Sequence, residues 1–340
     1  MFGWNVDLGL DLGTCTTRLY QRGVGLVTAE PTAVAFSPSH DEVVAVGSEA
    51  KLIAEQGSSE VRVVFPVRGG VVADHHAASE MLRALVRRVL GRRHLFLPRV
   101  VVSLTTGSTP VERAALLHAV QSAGARRVRT VDSTLAGAVG AGLVPTDRAG
   151  RLVVSIGGGL TSFGLVSQGR LVWGRGLRFG GLDLDEAVRK MMRNRYGLAV
   201  SAPTAEGMKL QVGAIAPQPA RSKVALGGSE VYGELFRNME VTLDAIPETL
   251  ARALLPVINE IHWAIAEAPT EQRAEIRANG IMLVGGTTLL QGVAQVIREK
   301  VGVPVVRARE PAHCVALGLG AMLQDVLKLS SDGSRYGSAG

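Results

Sequence analysis

Two short stretches set a polar residue at the end of an apolar run and glycine just beyond it. The first is Leu10-Asp11-Leu12-Gly13-Thr14, and the second is Val154-Ser155-Ile156-Gly157-Gly158-Gly159. Glycine leaves the backbone bare, so successive N–H groups can converge on one anion, as they do in phosphate-holding nests. Asp11, between a strand and a glycine loop, has no packing reason to be there and reads as functional. Its alternative is a turn-capping aspartate.

Each stretch opens the same unit. Residues 8–27 and 152–172 both read as strand, tight loop, strand, polar turn, strand. One copy alone would be an ordinary β-hairpin. Two copies, well over a hundred residues apart and each with glycine at the bend, imply two related halves. A phosphate-bearing ligand would sit between them, against Gly13, Thr14, Cys15 and Thr16 on one side and Gly157, Gly158, Gly159 and Thr161 on the other.

The elements around these loops alternate. Helical spacing of Ala77, Met81, Leu82, Leu85, Val86 and Val89 predicts a helix over 74–90 closed by Gly91. A strand over 99–104 and a helix over 110–123 follow. Further helices are expected at 134–142, at 183–196 with Asp183 as N-cap, at 204–212 with Thr204 as cap, and at 246–268, 289–300 and 311–329. Strands are expected at 222–226, 239–242, 280–286 and 303–307. Strands alternating with helices indicate two α/β domains around mixed sheets. The polar bend at 145–150 is the expected boundary.

Composition narrows the class. The chain has 340 residues, 46% of them hydrophobic but only 4% aromatic, which suits cores of Val, Leu and Ala in two domains. Cys15 and Cys314 are too few for a disulfide or metal framework, and a reducing cytoplasm is expected. No transmembrane run or signal-peptide pattern is present. The net charge of +7 favours anionic partners. The basic residues are scattered with no recognition motif, so no nucleic acid is expected.

Taken together, these residues resemble the actin-like proteins, and within them the MreB family. Asp11-Leu12-Gly13-Thr14 resembles the family's first phosphate loop, and residues 5–31 follow its opening. Gly69-Gly70-Val71-Val72-Ala73-Asp74 resembles its Asp-Gly-Val-Ile-Ala-Asp turn. Val111-Glu112-Arg113-Ala114 and Ala123-Gly124-Ala125 fall in register. Ile156-Gly157-Gly158-Gly159 resembles the second phosphate loop, Thr204-Ala205-Glu206 with Lys209 the purine-facing helix, and Leu283-Val284-Gly285-Gly286 the adenosine loop. Single motifs are weak; their joint order and spacing are strong.

The resemblance implies an α/β, actin-like (ribonuclease H-like, duplicated) two-domain fold with a nucleotide cleft between domains. Domain I would run 1–145 plus 309–330 with a small subdomain at 32–72. Domain II would run 146–308 with a small subdomain at 204–245, and 331–340 would be a disordered tail. It implies ATP and Mg²⁺ as cofactors, with Asp11 at the metal and Glu206, Lys209, Gly285, Gly286 and Thr287 at the nucleoside. It further implies head-to-tail filaments, alone or with an MreB paralogue. These would lie peripherally at the inner face of the membrane and guide membrane proteins of cell-wall synthesis. From residue types alone, Glu206 and Lys209 read equally as a solvated i,i+3 pair.

Departures from the family pattern fall on the hydrolytic groups. Ser155 stands where the family has Asp, Leu160 where it has Thr, and Ser162 where it has Glu. Asp132-Ser133-Thr134 replaces Glu-Glu-Pro, so Asp132 keeps a carboxylate one position early. Thr287 replaces the adenosine loop's third glycine. Positioning and charge neutralisation drive phosphoryl transfer. The expectation is therefore a nucleotide binder with impaired hydrolysis, for which Asp11 and Asp132 are the remaining catalytic candidates.

Leu95 and Phe96 are predicted at a loop tip beside Arg92 and Arg93; they could tuck into the core, and the basic flank favours an anionic membrane surface instead. The alternative function is a phosphotransferase of sugar or acetate kinase type, against which Ser155, Ser133 and the compact chain argue. A chaperone-like ATPase is not expected, since that reading calls for a substrate-binding domain after residue 330 and the stretch from 330 to 340 reads as a Ser/Gly-rich tail. His75 and His76 read as a helix start and Cys314 as core.

Overall fold

A computed structural model describes residues 6–38, 42–57, 60–91, 98–143, 150–215, 223–230 and 236–328. Leu95 and Phe96, the bend at 145–149 and the tail at 331–340 lie outside the described residues.

Two five-stranded sheets carry the same topology. In the first, the strands lie in the order Arg127–Asp132, Arg99–Leu104, Asp7–Leu12, Thr16–Gln21, Gly25–Pro31. In the second the order is Val305–Arg307, Ile281–Val284, Arg151–Ile156, Thr161–Ser167, Arg170–Leu177. In each, the first three strands in sequence form an antiparallel meander, and the last two add in parallel to its first strand. The repeated hairpin unit of the sequence is thus the head of a repeated sheet. The fold is α/β and actin-like.

The core has three main parts. Leu8, Leu10, Leu19, Met81, Leu82 and Val100 fill the outer face of the first sheet. Leu152, Phe163, Leu184, Val188, Ile258 and Ile261 fill that of the second. Between the sheets lie two helices, Ser133–Gly140 and Cys314–Lys328, packed on Val101, Val131, Val153 and Val284. Small residues let these helices touch backbone to backbone: a Cβ at Gly140 would collide with Cys314 O, and one at Gly318 with Ala136 O. Cys314 is buried there.

The helix His75–Leu90 is capped by Asp74, which accepts from Ala77 N at 2.9 Å, and it ends at Gly91. Four expectations need correction. Asp183 does not cap its helix: the helix is Gly181–Tyr196, and Asp183 reaches back to accept from Gly180 N at 2.8 Å. Ser201, not Thr204, caps Ala202–Val212, because its hydroxyl meets Thr204 N first. The helix expected over 246–268 is two, Ile246–Ala253 and Leu255–Glu267; Pro256 has no N–H to continue the ladder. The helix expected over 289–300 is a 3₁₀ turn, Gly286–Leu289, then Val293–Val301, separated by Gly292 at φ 86°.

Candidate functional site

The two glycine loops meet at the floor of a cleft. Gly13 N donates to Thr16 O and Gly157 N to Leu160 O, so both loops close by the same turn. Thr14 packs on Gly159, and Cys15 packs on Gly158 so closely that neither glycine has room for a Cβ. The carbonyls of Gly157 and Gly158 accept from Gly181 N and Leu182 N, which docks the helix Gly181–Tyr196 under the second loop. Thr14 Oγ1 accepts from Gly70 N at 2.9 Å, bringing in the turn at 69–74. Among the described residues, nothing accepts from the amides of Thr14, Cys15, Gly158 and Gly159. These amides are what a nest offers an anion.

The cleft has a volume of about 460 Å³, in the usual range for a small-molecule site. Asp11, Gly13, Thr14, Cys15, Thr16, Gly157, Gly158, Glu206, Lys209, Gly285, Gly286 and Thr287 all line it, as do Ser133, Ser155, Leu160 and Ser162. Gly159, Thr161 and Asp132 do not. Thr161 is buried, with its hydroxyl donating to Phe179 O at 2.9 Å. Asp132 Oδ1 caps the helix Ser133–Gly140, accepting from Thr134 N, Leu135 N and the Thr106 hydroxyl. Burial pushes its carboxyl up, and these hydrogen bonds pull it back. Ser133, one residue on, is the group that faces the cleft.

Each carboxylate on the cleft wall has its own cation. Asp11 Oδ2 lies 3.7 Å from Arg18 Nη1, and its Oδ1 accepts from Ser103 at 3.0 Å. Burial raises the Asp11 carboxyl while Arg18 and Ser103 oppose the rise. Asp185 Oδ1 lies 2.7 Å from Lys209 Nζ, a buried pair, and Lys209 also donates to Gly181 O. Glu206 Oε2 takes Lys51 Nζ at 2.8 Å across the cleft. Glu206 and Lys209 therefore do not pair with each other. Thr287 spends its hydroxyl on Gly157 O at 2.8 Å, tying the loop at 285–287 to the second glycine loop.

This donor set does not fit a divalent cation. Beside a nucleotide such a cation is held by waters, the substrate's phosphates and one or two protein carboxylates, and Asp11, the carboxylate next to the glycine loops, has one oxygen committed to Ser103 and a guanidinium beside the other. No group of three or more His, Cys, Asp or Glu that could hold a metal occurs among the described residues.

Three groups were not singled out from the sequence: Arg18, Asp185 and Lys51. Arg18 was within reach, since a tight loop after Leu12 sets Asp11 opposite Arg18. Asp185 and Lys51 carry no local signal, because their partners lie far along the chain.

The MreB/Mbl protein family model matches residues 5–331. The chain belongs to the MreB/Mbl family. It is 33% identical over 323 residues to the cell shape-determining protein MreB of Escherichia coli (strain K12), covering 94% of this chain and 93% of that one. It is 29% identical to the cell shape-determining protein Mbl of Bacillus subtilis (strain 168), covering 95% and 97%. Among solved structures, MreB5 of Spiroplasma citri bound to ADP superposes with a TM-score of 0.89 at 26% identity, covering 97% of this chain and 99% of that one. The same protein bound to AMPPNP gives 0.87 at 25%, covering 96% and 98%. A MamK double helical filament shares the fold at 0.78 and 18% identity, covering 94% and 99%. The MreB/Mbl match does not favour the phosphotransferase alternative.

Proposed function

We propose that this chain is a cell shape-determining cytoskeletal protein that binds ATP in the cleft and hydrolyses it poorly. It assembles head to tail with itself or a paralogue, a heterologous contact that does not close. It lies at the inner face of the membrane, where it organises cell-wall synthesis. The cleft carries this reading. Two glycine loops hold open amides against about 460 Å³ of space, and the E. coli and B. subtilis relatives are cell shape-determining proteins. MreB5 takes AMPPNP and ADP.

Impaired hydrolysis follows from what faces that space. Ser133, Ser155 and Ser162 line it, while Asp132 is occupied as a helix cap. Losing one positioned electrostatic group costs on the order of 10²–10³ in rate. ATP is therefore expected to bind in a calorimetric titration and to release phosphate barely above background. Release at the rate of an active relative, measured side by side, overturns the impaired reading; absence of ATP binding overturns the nucleotide reading.

The membrane part rests on Leu95 and Phe96 beside Arg92 and Arg93. Burying each apolar side chain contributes about 1.5–3 kcal/mol, and each arginine about 1 kcal/mol on anionic lipid. One protomer would hold weakly, and a filament firmly through many contacts. Flotation with anionic liposomes is expected to fall with salt and to be lost in Leu95→Ser with Phe96→Ser. Equal flotation of variant and wild type rules out Leu95 and Phe96 as the anchor.

A further inference from the structure

The internal repeat allows the two cleft hairpins to be compared position by position. In the first hairpin Asp11 stands opposite Arg18. In the second Ser155 stands opposite Ser162. The spacing is the same, and all four residues line the cleft. One hairpin therefore contributes a carboxylate and a guanidinium to the floor, and the other two neutral hydroxyls.

Arg18 is poorly satisfied where it stands. Asp11 is its ion-pair partner at 3.7 Å, too long for a hydrogen bond. Nε is buried and has no acceptor. A guanidinium has five donors in a planar fork suited to phosphate oxygens. Buried polar groups are seldom left without partners, so an unpaired, buried Nε on an arginine that lines the cleft points to an acceptor brought by a ligand. The remaining acidic groups of the cleft wall, Asp185 and Glu206, are neutralised by Lys209 and Lys51. No protein carboxylate of the cleft wall is therefore free to share a metal ion with a bound phosphate.

We infer that Arg18 is a phosphate-binding residue and that this cleft holds a nucleoside di- or triphosphate without a divalent cation. The guanidinium supplies the fixed positive charge, the open amides of the two glycine loops supply further donors, and Ser155 and Ser162 add neutral hydroxyls. This rests on the nucleotide reading above. Asp11 in this account is a positioning residue that holds Arg18 toward the floor.

The test is calorimetric titration of ATP and of ADP into the full chain, with MgCl₂ and separately with EDTA. The wild type is expected to bind with nearly the same affinity in both. Arg18→Leu is expected to weaken both nucleotides about 10- to 100-fold, the loss that follows from removing charge-assisted hydrogen bonds. Arg18→Lys is expected to keep part of the affinity, as a point charge without the fork. Thermal melts check that the variants fold, and the wild-type comparison stands if they do not. ATP binding that needs MgCl₂ overturns the inference and leaves the nucleotide reading intact. A folded Arg18→Leu that binds as the wild type does likewise. No binding under either condition overturns the nucleotide reading itself, and this inference with it.

Discussion

Gly318→Val is expected to destabilise the chain by about 3 kcal/mol or more, the upper range for overpacking a tight core. The helices Ser133–Gly140 and Cys314–Lys328 meet at Gly140 and Gly318, where each glycine faces the other helix's backbone. No side-chain rotamer can relieve a collision with a carbonyl. The helices must separate, and with them the apolar layer of Val101, Val153, Leu135 and Leu323 that joins the two sheets. Gly207→Ala is the contrast. Gly207 lies exposed in the helix Ala202–Val212 with open space at its Cβ position, so alanine is expected to stabilise by up to ~1 kcal/mol. Urea unfolding of both variants measures the difference. A Gly318→Val midpoint equal to that of the wild type would show that the helices can part without cost.

The second large effect is expected at Lys209. Its ammonium is buried against Asp185, 2.7 Å away. Lys209→Met leaves that carboxylate buried without a counter-charge, which costs about 3–5 kcal/mol. Replacing both partners, Lys209→Met with Asp185→Leu, is expected to restore most of the stability, because no charge is then stranded. The pH dependence has a definite sign. Burial already holds the Asp185 carboxyl above its ordinary value, against the pull of Lys209. Removing Lys209 lets it rise further. An acid whose folded value is raised favours the fold when protonated, so the Lys209→Met deficit is largest at high pH and shrinks as pH falls through that raised value. Urea midpoints for the single and double variants, at neutral pH and near the carboxylate range, decide it. A single variant as stable as the double at neutral pH would mean that Asp185 is not stranded.

Much of the candidate site was legible before any coordinates. The glycine triplet at 157–159 and the Asp11-Leu12-Gly13 bend are local features, and tight strand-to-strand turns require residues of that kind wherever they occur. The duplication was legible for the same reason, since each copy carries its own apolar strands and turn. Helix ends were read less well. Ser201 and Gly180 lie outside the expected starts, and Pro256 breaks a run whose apolar periodicity continues through it.

Partner choice is what tertiary structure decided. Glu206 and Lys209 stand one turn apart and suit each other locally. Yet Lys209 pairs with the buried Asp185, 24 positions back, and Glu206 pairs across the cleft with Lys51, 155 positions back. A buried ammonium must take whatever carboxylate the fold sets beside it, and sequence distance does not enter. Asp132 likewise had a carboxylate's chemistry available, but its place at the first turn of a buried helix commits it to that helix's free amides. The sequence by itself determined where a phosphate-holding backbone would form and that it would form twice. Only the folding of the two halves against each other determined which charges face the space between them. Charge pairing depends on three-dimensional distance and burial, whereas turn geometry depends on the few residues that make the turn.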